Sequence, residues 1–187
     1  MSHRYIMAKF TGMFEKALEF AIKKHKGQKR KGTDMPYYRH PISVAENIEE
    51  FKKSKNLELL MTAALLHDTV EDCPGISMKK IANMFGYQVA SLVDELTSDK
   101  DEIAKVGKIE YLKKKTGGLT SYGLVIKLAD RLHNVEDMSN MTKEFQKRYK
   151  KETLAILDHI ESGVRKLTPT HHRLIDKIRS VLASQKK

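Results

Sequence analysis

Tryptophan is absent from this 187-residue chain, cysteine occurs once, and prolines and glycines number only four and ten. A single thiol, Cys73, excludes an internal disulfide framework and fits a reducing compartment. So few prolines and glycines leave little room for long linkers. No apolar run approaches membrane-spanning length, and Met1 to Phe10 lacks the apolar core of a signal peptide, so a cytoplasmic protein without a membrane partner is expected. Period-two alternation long enough for a sheet is also missing, and the chain reads as all-α. Aromatic residues make up 7%, and no zinc-finger, RRM or KH signature is present, which weakens a nucleic-acid reading.

What is plentiful is positive charge. Thirty-five Lys and Arg against 24 Asp and Glu give a formal +11, which favours anionic partners through long-range steering. The length suits one domain, 1–187, able to bury about 70% of its unfolded surface. Its core is expected at about 14–162, followed by a C-terminal helix at about 168–184, with about eight to ten helices in all.

The stretch from Leu59 to Asp72 organises the rest. Residues 59–66 are apolar except for Thr62, so a helix here has no polar face and must be covered all round. His67, Asp68, Glu71 and Asp72 follow with no expected loop between. Asp68, Glu71 and Asp72 then share one face at i, i+3 and i+4, in a last turn whose dipole disfavours anions. A divalent metal held by His67 and Asp68 would relieve that crowding. Acids at a helix end can equally meet only water, and the dipeptide alone leaves both readings open.

Upstream, Phe10, Phe14, Leu18, Ala21, Ile22 and His25 mark an amphipathic helix ended by Gly27. Residues 23–36 carry seven basic side chains, counting His25, in a segment whose later part reads as loop. A solvated charge run and an anion clamp fit this spacing equally well; arginine in such a clamp stacks on a base or forks onto phosphate. Pro41 opens a second helix through Ile42, Ala45, Ile48 and Phe51, which puts His40 at its entrance. A histidine there is more often a hydrogen-bonded structural residue than a ligand.

Downstream, Ser77 reads as the cap of a helix from Met78 to Phe85 stopped by Gly86, and Tyr87 to Leu96 forms another. Thr97 to Glu102 reads as loop, and a helix around Lys108 to Lys115 ends at Gly117-Gly118. In the segment from Tyr122 to Met138, Leu124, Val125, Leu128, Leu132 and Val135 form one stripe. Asp130 lies nearly opposite, on a face that begins apolar at Ile126 and turns polar at Asn134; this suits a helix covered on both sides with Asp130 and Asn134 in a partly enclosed cleft, while periodicity alone slightly favours an ordinary solvent-facing acid near Arg131. A long helix from Glu144 to about Ser162 uses Leu154, Leu157 and Ile160, and Thr168-Pro169-Thr170 begins the last helix, with Ser184 to Lys187 expected to fray.

Three segments in order, Gly27 to Lys31 with Pro36-Tyr37 and His40-Pro41, then Leu65 to Asp72, then Lys127 to Asn134, resemble the hydrolase domain of the RelA/SpoT homologues. These are members of the HD phosphohydrolase superfamily, and the likeness is greatest to a small alarmone hydrolase made of that domain alone. The resemblance covers roughly Phe14 to Ile160. It implies an HD-domain helical fold and metal-dependent (p)ppGpp 3′-pyrophosphohydrolase activity, usually with Mn²⁺. Residue by residue, it implies His40, His67, Asp68 and Asp130 as metal ligands and Glu71 and Asp72 as the acids that orient and activate water. Arg30 would pack on the guanine, Lys31 would contact phosphate or base, and Asn134 would contact the nucleotide, with Lys100 and Arg148 as further phosphate contacts. The substrate is then a small guanine nucleotide, and no stable nucleic-acid partner is expected.

Two departures are visible, one of them a loop from Arg30 to His40 that differs by a residue from some members and bears on base selection. Where the family commonly continues with Met-Arg-Thr-Leu, this chain has Val135-Glu136-Asp137-Met138, an acid in place of a basic substrate contact. This bears on specificity more than on hydrolysis. An HD phosphohydrolase of another nucleotide, such as a nicotinamide dinucleotide phosphate, and a non-enzymatic basic nucleic-acid-binding module are the alternatives.

Overall fold

The apolar central stretch forms a helix whose seven residues from Leu60 to Leu66 are all fully buried. The computed structural model describes residues 12–53 and 55–185. Phe10, the expected start of the first apolar stripe, and Lys186-Lys187 of the expected frayed end lie outside the described residues. The all-α expectation holds among them: the one β feature is an isolated antiparallel bridge between Lys29 and Pro36.

Two compact units divide the chain, the first comprising residues up to Arg30 and 34–97, the second 31–33 and 98 onward. The first unit contains α1 (Met13–Lys24), α2 (Arg39–Phe51), α3 (Leu57–Leu66), α4 (Thr69–Asp72), α5 (Met78–Phe85) and α6 (Tyr87–Leu96). Helices α1, α2 and α6 all pack on α3, which is why α3 carries apolar side chains on every face. Ser77 caps α5 as expected, accepting a hydrogen bond from the Lys80 amide at 3.3 Å. Gly86, at φ 86°, ends α5 and begins α6, a left-handed conformation that glycine adopts without penalty.

The second unit contains α7 (Lys100–Val106), α8 (Lys108–Gly118), α9 (Ser121–Asp137), α10 (Lys143–His159) and α11 (Pro169–Ser184). Helix α9 packs on α11 and α10, and α8 lies against α10 and α7 around Tyr111, Leu112, Ile156 and Ile103. Thr168 and His171 form the capping box that starts α11.

Three boundaries differ from the sequence reading, each for a local reason. Thr97 to Glu102 is not all loop, because Asp99 caps α7 by accepting from the Asp101 and Glu102 amides, both at 2.9 Å. Gly117 and Gly118 belong to α8 itself, where tertiary packing outweighs their low helix propensity. The long C-terminal segment leaves the α conformation at His159 and passes through a wider turn, Ile160–Val164, with Gly163 at φ 93°.

Thr62 is the one polar side chain inside the apolar stretch of α3, and its buried hydroxyl has no hydrogen-bond partner. Such a group forfeits its hydration without compensation. Thr62→Val, which replaces that hydroxyl by a methyl of similar size, is expected to stabilise the protein by about 1 kcal/mol. Thermal unfolding checks this, with a rise of about 2–4 °C expected.

Candidate metal centre and substrate-binding residues

Residues His67 and Asp68 interrupt the central helix rather than extend it. Helix α3 ends at Leu66, and Asp68, at φ −97° and ψ −6°, is the residue from which the one-turn helix α4 starts. This corrects the expectation of one continuous helix through Asp72. Glu71 and Asp72 accordingly lie in a separate one-turn helix and not in the last turn of α3. Thr69 helps make the break by donating its hydroxyl to the Leu66 carbonyl at 2.7 Å.

The break turns His67 and Asp68 toward His40, which sits in the first turn of α2. His40 and His67 are 2% and 3% exposed. Nδ1 of His67 donates to the Ala64 carbonyl at 2.7 Å, which fixes the tautomer and leaves the Nε2 lone pair pointing at the carboxylate. Asp68 Oδ2 lies 3.0 Å from His67 Nε2 and 3.6 Å from His40 Nε2. One donor atom from each of the three residues falls within 4.8 Å of the others. A cation with bonds near 2.1 Å holds donors about 3.0–3.4 Å apart, so two imidazoles and a carboxylate at these distances fit a divalent metal.

Around this cluster runs a hydrogen-bonded loop. Tyr37 donates its hydroxyl to Asp68 Oδ2 at 2.6 Å, and its ring lies 4.9 Å from that of His25 and 5.7 Å from that of His40. Fully buried His25 is 2.7 Å from Gln28 Oε1 through Nδ1, and Gln28 donates from Nε2 to the Asp72 carbonyl at 2.9 Å. Cys73, 3.5 Å from His25 Nδ1, is a buried thiol whose pKa is pushed up by that burial and by Asp72. It stays protonated and inert at neutral pH. The Arg30 guanidinium stands over the Tyr37 ring at 5.8 Å.

In the second unit, Asp130 is 7% exposed, which decides for an enclosed side chain over a solvent-facing acid. Helix α9 is covered on both its faces there. Lys127 pairs with Asp130 Oδ2 at 3.0 Å, and Asn134 donates to Oδ1 at 2.5 Å. Two residues beyond Asn134, Glu136 is exposed. Lys31 and Arg148 line one cavity of about 340 Å³ together with Gly32, Asn140, Met141, Thr142, Glu144 and Phe145. Their cationic groups lie 5.0 and 5.4 Å from the centre of the Phe145 ring. Gly32 is at φ 78°, and a Cβ there would meet Met141 Sδ at 2.9 Å, so only glycine lets this loop lie on Met141. Lys100 stands apart from this group, exposed at the start of α7.

The structure thus gathers His40, His67 and Asp68 in one cluster, Asp130 with Asn134 in a second, and Lys31 with Arg148 in a third. Sequence reasoning assigned no role to Tyr37, Lys127 or Phe145. The signals were present: Tyr37 precedes His40 by three residues, and Lys127 and Phe145 precede Asp130 and Arg148 by one helical turn.

A family model described as HD domain matches residues 17–162. The human guanosine-3′,5′-bis(diphosphate) 3′-pyrophosphohydrolase MESH1 is 36% identical over 129 residues, 68% of this chain and 70% of that protein. The guanosine-3′,5′-bis(diphosphate) 3′-pyrophosphohydrolase of Aquifex aeolicus is 36% identical over 151 residues, covering 76% of this chain and 20% of that one. A GTP pyrophosphokinase of Streptomyces coelicolor is 37% identical over 145 residues, 76% of this chain and 16% of that protein. This chain spans a fifth or less of the length of such bacterial relatives. Among solved structures, a metazoan orthologue of SpoT that hydrolyses ppGpp matches with a TM-score of 0.78 and 26% identity, covering 95% of this chain and 97% of that one. The protein lmo0812 of Listeria monocytogenes, at 21% identity and a TM-score of 0.57 over 80% of this chain and 99% of that one, shares the fold. The chain belongs to the HD-domain family, in its RelA/SpoT-homologue branch.

Proposed function

We propose that this protein is a metal-dependent (p)ppGpp 3′-pyrophosphohydrolase, and that the chain is one HD domain. The observation that carries the reading is the convergence of His40, His67 and Asp68 at metal-ligand spacing, with two acids in the turn that begins at Asp68. Similarity to MESH1 over most of both chains supports the substrate class. In the overall reaction water attacks the 3′-diphosphate, the ester bond to the 3′ position breaks, and GDP or GTP leaves with pyrophosphate as the second product.

His40, His67 and Asp68 hold the metal, and Asp130 is assigned as a further ligand on its place in the sequence resemblance. The mixed imidazole and carboxylate set suits Mn²⁺. When bound, the metal supplies Lewis-acid polarisation of a phosphate oxygen and acidifies water. Glu71 and Asp72 orient the attacking water and take its proton. Arg30 packs on the guanine, Lys31 meets phosphate or base and Arg148 meets phosphate, cations that match the substrate's charge. Asn134 contacts the nucleotide, and Lys100 is a phosphate contact.

The experiment is hydrolysis of ppGpp by protein stripped of metal and resupplied with Mn²⁺, with products separated by ion exchange. Release of GDP and pyrophosphate restored by Mn²⁺ is expected. A protein that binds the metal yet leaves ppGpp intact would overturn the substrate assignment.

A further inference from the structure

Tyr37 makes more contacts with the candidate site than any role so far given to it explains. Its hydroxyl hydrogen sits on Asp68 Oδ2, the same oxygen that faces Nε2 of both histidines. Its backbone amide donates to the Gln28 carbonyl at 2.9 Å, and its ring is flanked by His25 and His40. Gln28 is in turn tied to the backbone of Asp72. The tyrosine is therefore fixed at its main chain, at its ring and at its tip. A carboxylate that follows a helix break has free χ rotation unless something holds it, and a phenol at 2.6 Å is a strong, directional donor to an ionised oxygen.

We propose that Tyr37 is a positioning residue for the metal centre: its hydroxyl holds the Asp68 carboxylate in the rotamer that presents it beside His40 and His67. The inference rests on the reading of those three residues as metal ligands. Outer hydrogen-bond partners of metal ligands raise affinity by lowering the cost of organising the site, and their loss weakens binding by about tenfold to a hundredfold. Because the donor is the hydroxyl, removing the oxygen alone is enough to cause the loss; removing the whole ring, which also lies beside His40, weakens binding at least as much.

The test is calorimetric titration of Mn²⁺ into metal-stripped protein, for the parent, Tyr37→Phe, Tyr37→Leu, Asp68→Ala and the Tyr37→Phe/Asp68→Ala double variant, with the electron paramagnetic resonance signal of bound Mn²⁺ recorded for each. Tyr37→Phe is expected to bind Mn²⁺ about tenfold to a hundredfold more weakly than the parent with an altered signal, and Tyr37→Leu at least as weakly. In the Asp68→Ala background the Tyr37→Phe substitution adds no further loss, since the carboxylate it orients is gone. If Tyr37→Phe binds as the parent does and only Tyr37→Leu is impaired, the ring is merely packing and the proposal is overturned while the metal centre stands. A parent that binds no divalent metal overturns both.

Discussion

Glu71→Gln combined with Asp72→Asn is expected to lower turnover of ppGpp by about two to four orders of magnitude while Mn²⁺ binding stays within a few-fold of the parent. Both substitutions keep the size and planar shape of the side chains but replace an accepting, negatively charged oxygen by a donating amide nitrogen, and with it remove the capacity to take a proton. Their backbone is anchored independently of those carboxylates: the Asp72 amide donates to the Asp68 carbonyl at 2.9 Å, and the Asp72 carbonyl accepts from Gln28. The geometry of α4 therefore survives the change. His67→Ala, by contrast, removes a donor from the cluster and is expected to abolish metal binding and turnover together. The contrast separates chemistry from assembly. Calorimetry with Mn²⁺ and steady-state assays on the same preparations read the two effects. Full activity in the double variant with metal bound would show that the water is activated by another group.

The two assignments differ in how far the chain itself announced them. The buried helix was legible because residues 59–66 are apolar at every position but Thr62, and no pattern other than burial on all sides accommodates that. Ser77, Gly86 and Thr168 were legible as punctuation for the same kind of reason, each being the residue that a helix end requires. The break at His67-Asp68 was not, because nothing in the composition of the two residues forbids continuation; His67 keeps helical angles, and Asp68 alone departs, at φ −97° and ψ −6°. It is set by hydrogen bonds that single-residue propensities do not contain, namely Thr69 to Leu66 and His67 to Ala64. Asp130 is an intermediate case. Periodicity left it between a solvent-facing acid, slightly favoured, and a helix covered on both sides, and its burial decides for the second. Tyr37 was legible only as a neighbour of His40, three residues before it; that its hydroxyl is spent on Asp68, 31 residues away, is a long-range pairing that local spacing does not contain.

The largest stability effect is expected at the ion pair behind Asp130. Arg131 and Glu152 are 6% and 4% exposed, and the guanidinium donates to Glu152 Oε1 at 2.8 Å and to the Thr153 hydroxyl at 3.3 Å. The Arg131 guanidinium also lies 4.9 Å from the Tyr149 ring centre, and burial pushes the Tyr149 phenol up to about 12, so it remains neutral and donates no competing charge. Glu152→Gln leaves a buried guanidinium without its counter-charge, a loss expected to cost about 3–5 kcal/mol. Lys108 reaches the same carboxylate at 3.0 Å but is mostly exposed, and Lys108→Ala is expected to cost less than about 1 kcal/mol. The pH dependence follows from the direction of the Glu152 shift. Burial raises its carboxyl, but Arg131 and then Lys108 outweigh this and hold it below its ordinary value in the folded protein. A carboxyl with a depressed folded pKa binds fewer protons folded than unfolded, so its contribution is complete above the unfolded value of about 4.3 and is lost as pH falls toward the folded one. The parent should therefore lose stability on acidification below about pH 5. Glu152→Gln should be destabilised at neutral pH and show a flatter acid limb. Urea unfolding at pH 7 and at pH 4 measures both. Equal destabilisation of the variant at the two values would show that packing, and not charge, holds α10 to α9. Since Asp130 and Asn134 stand on α9 to either side of Arg131, the same variant is expected to weaken activity at neutral pH before the protein unfolds.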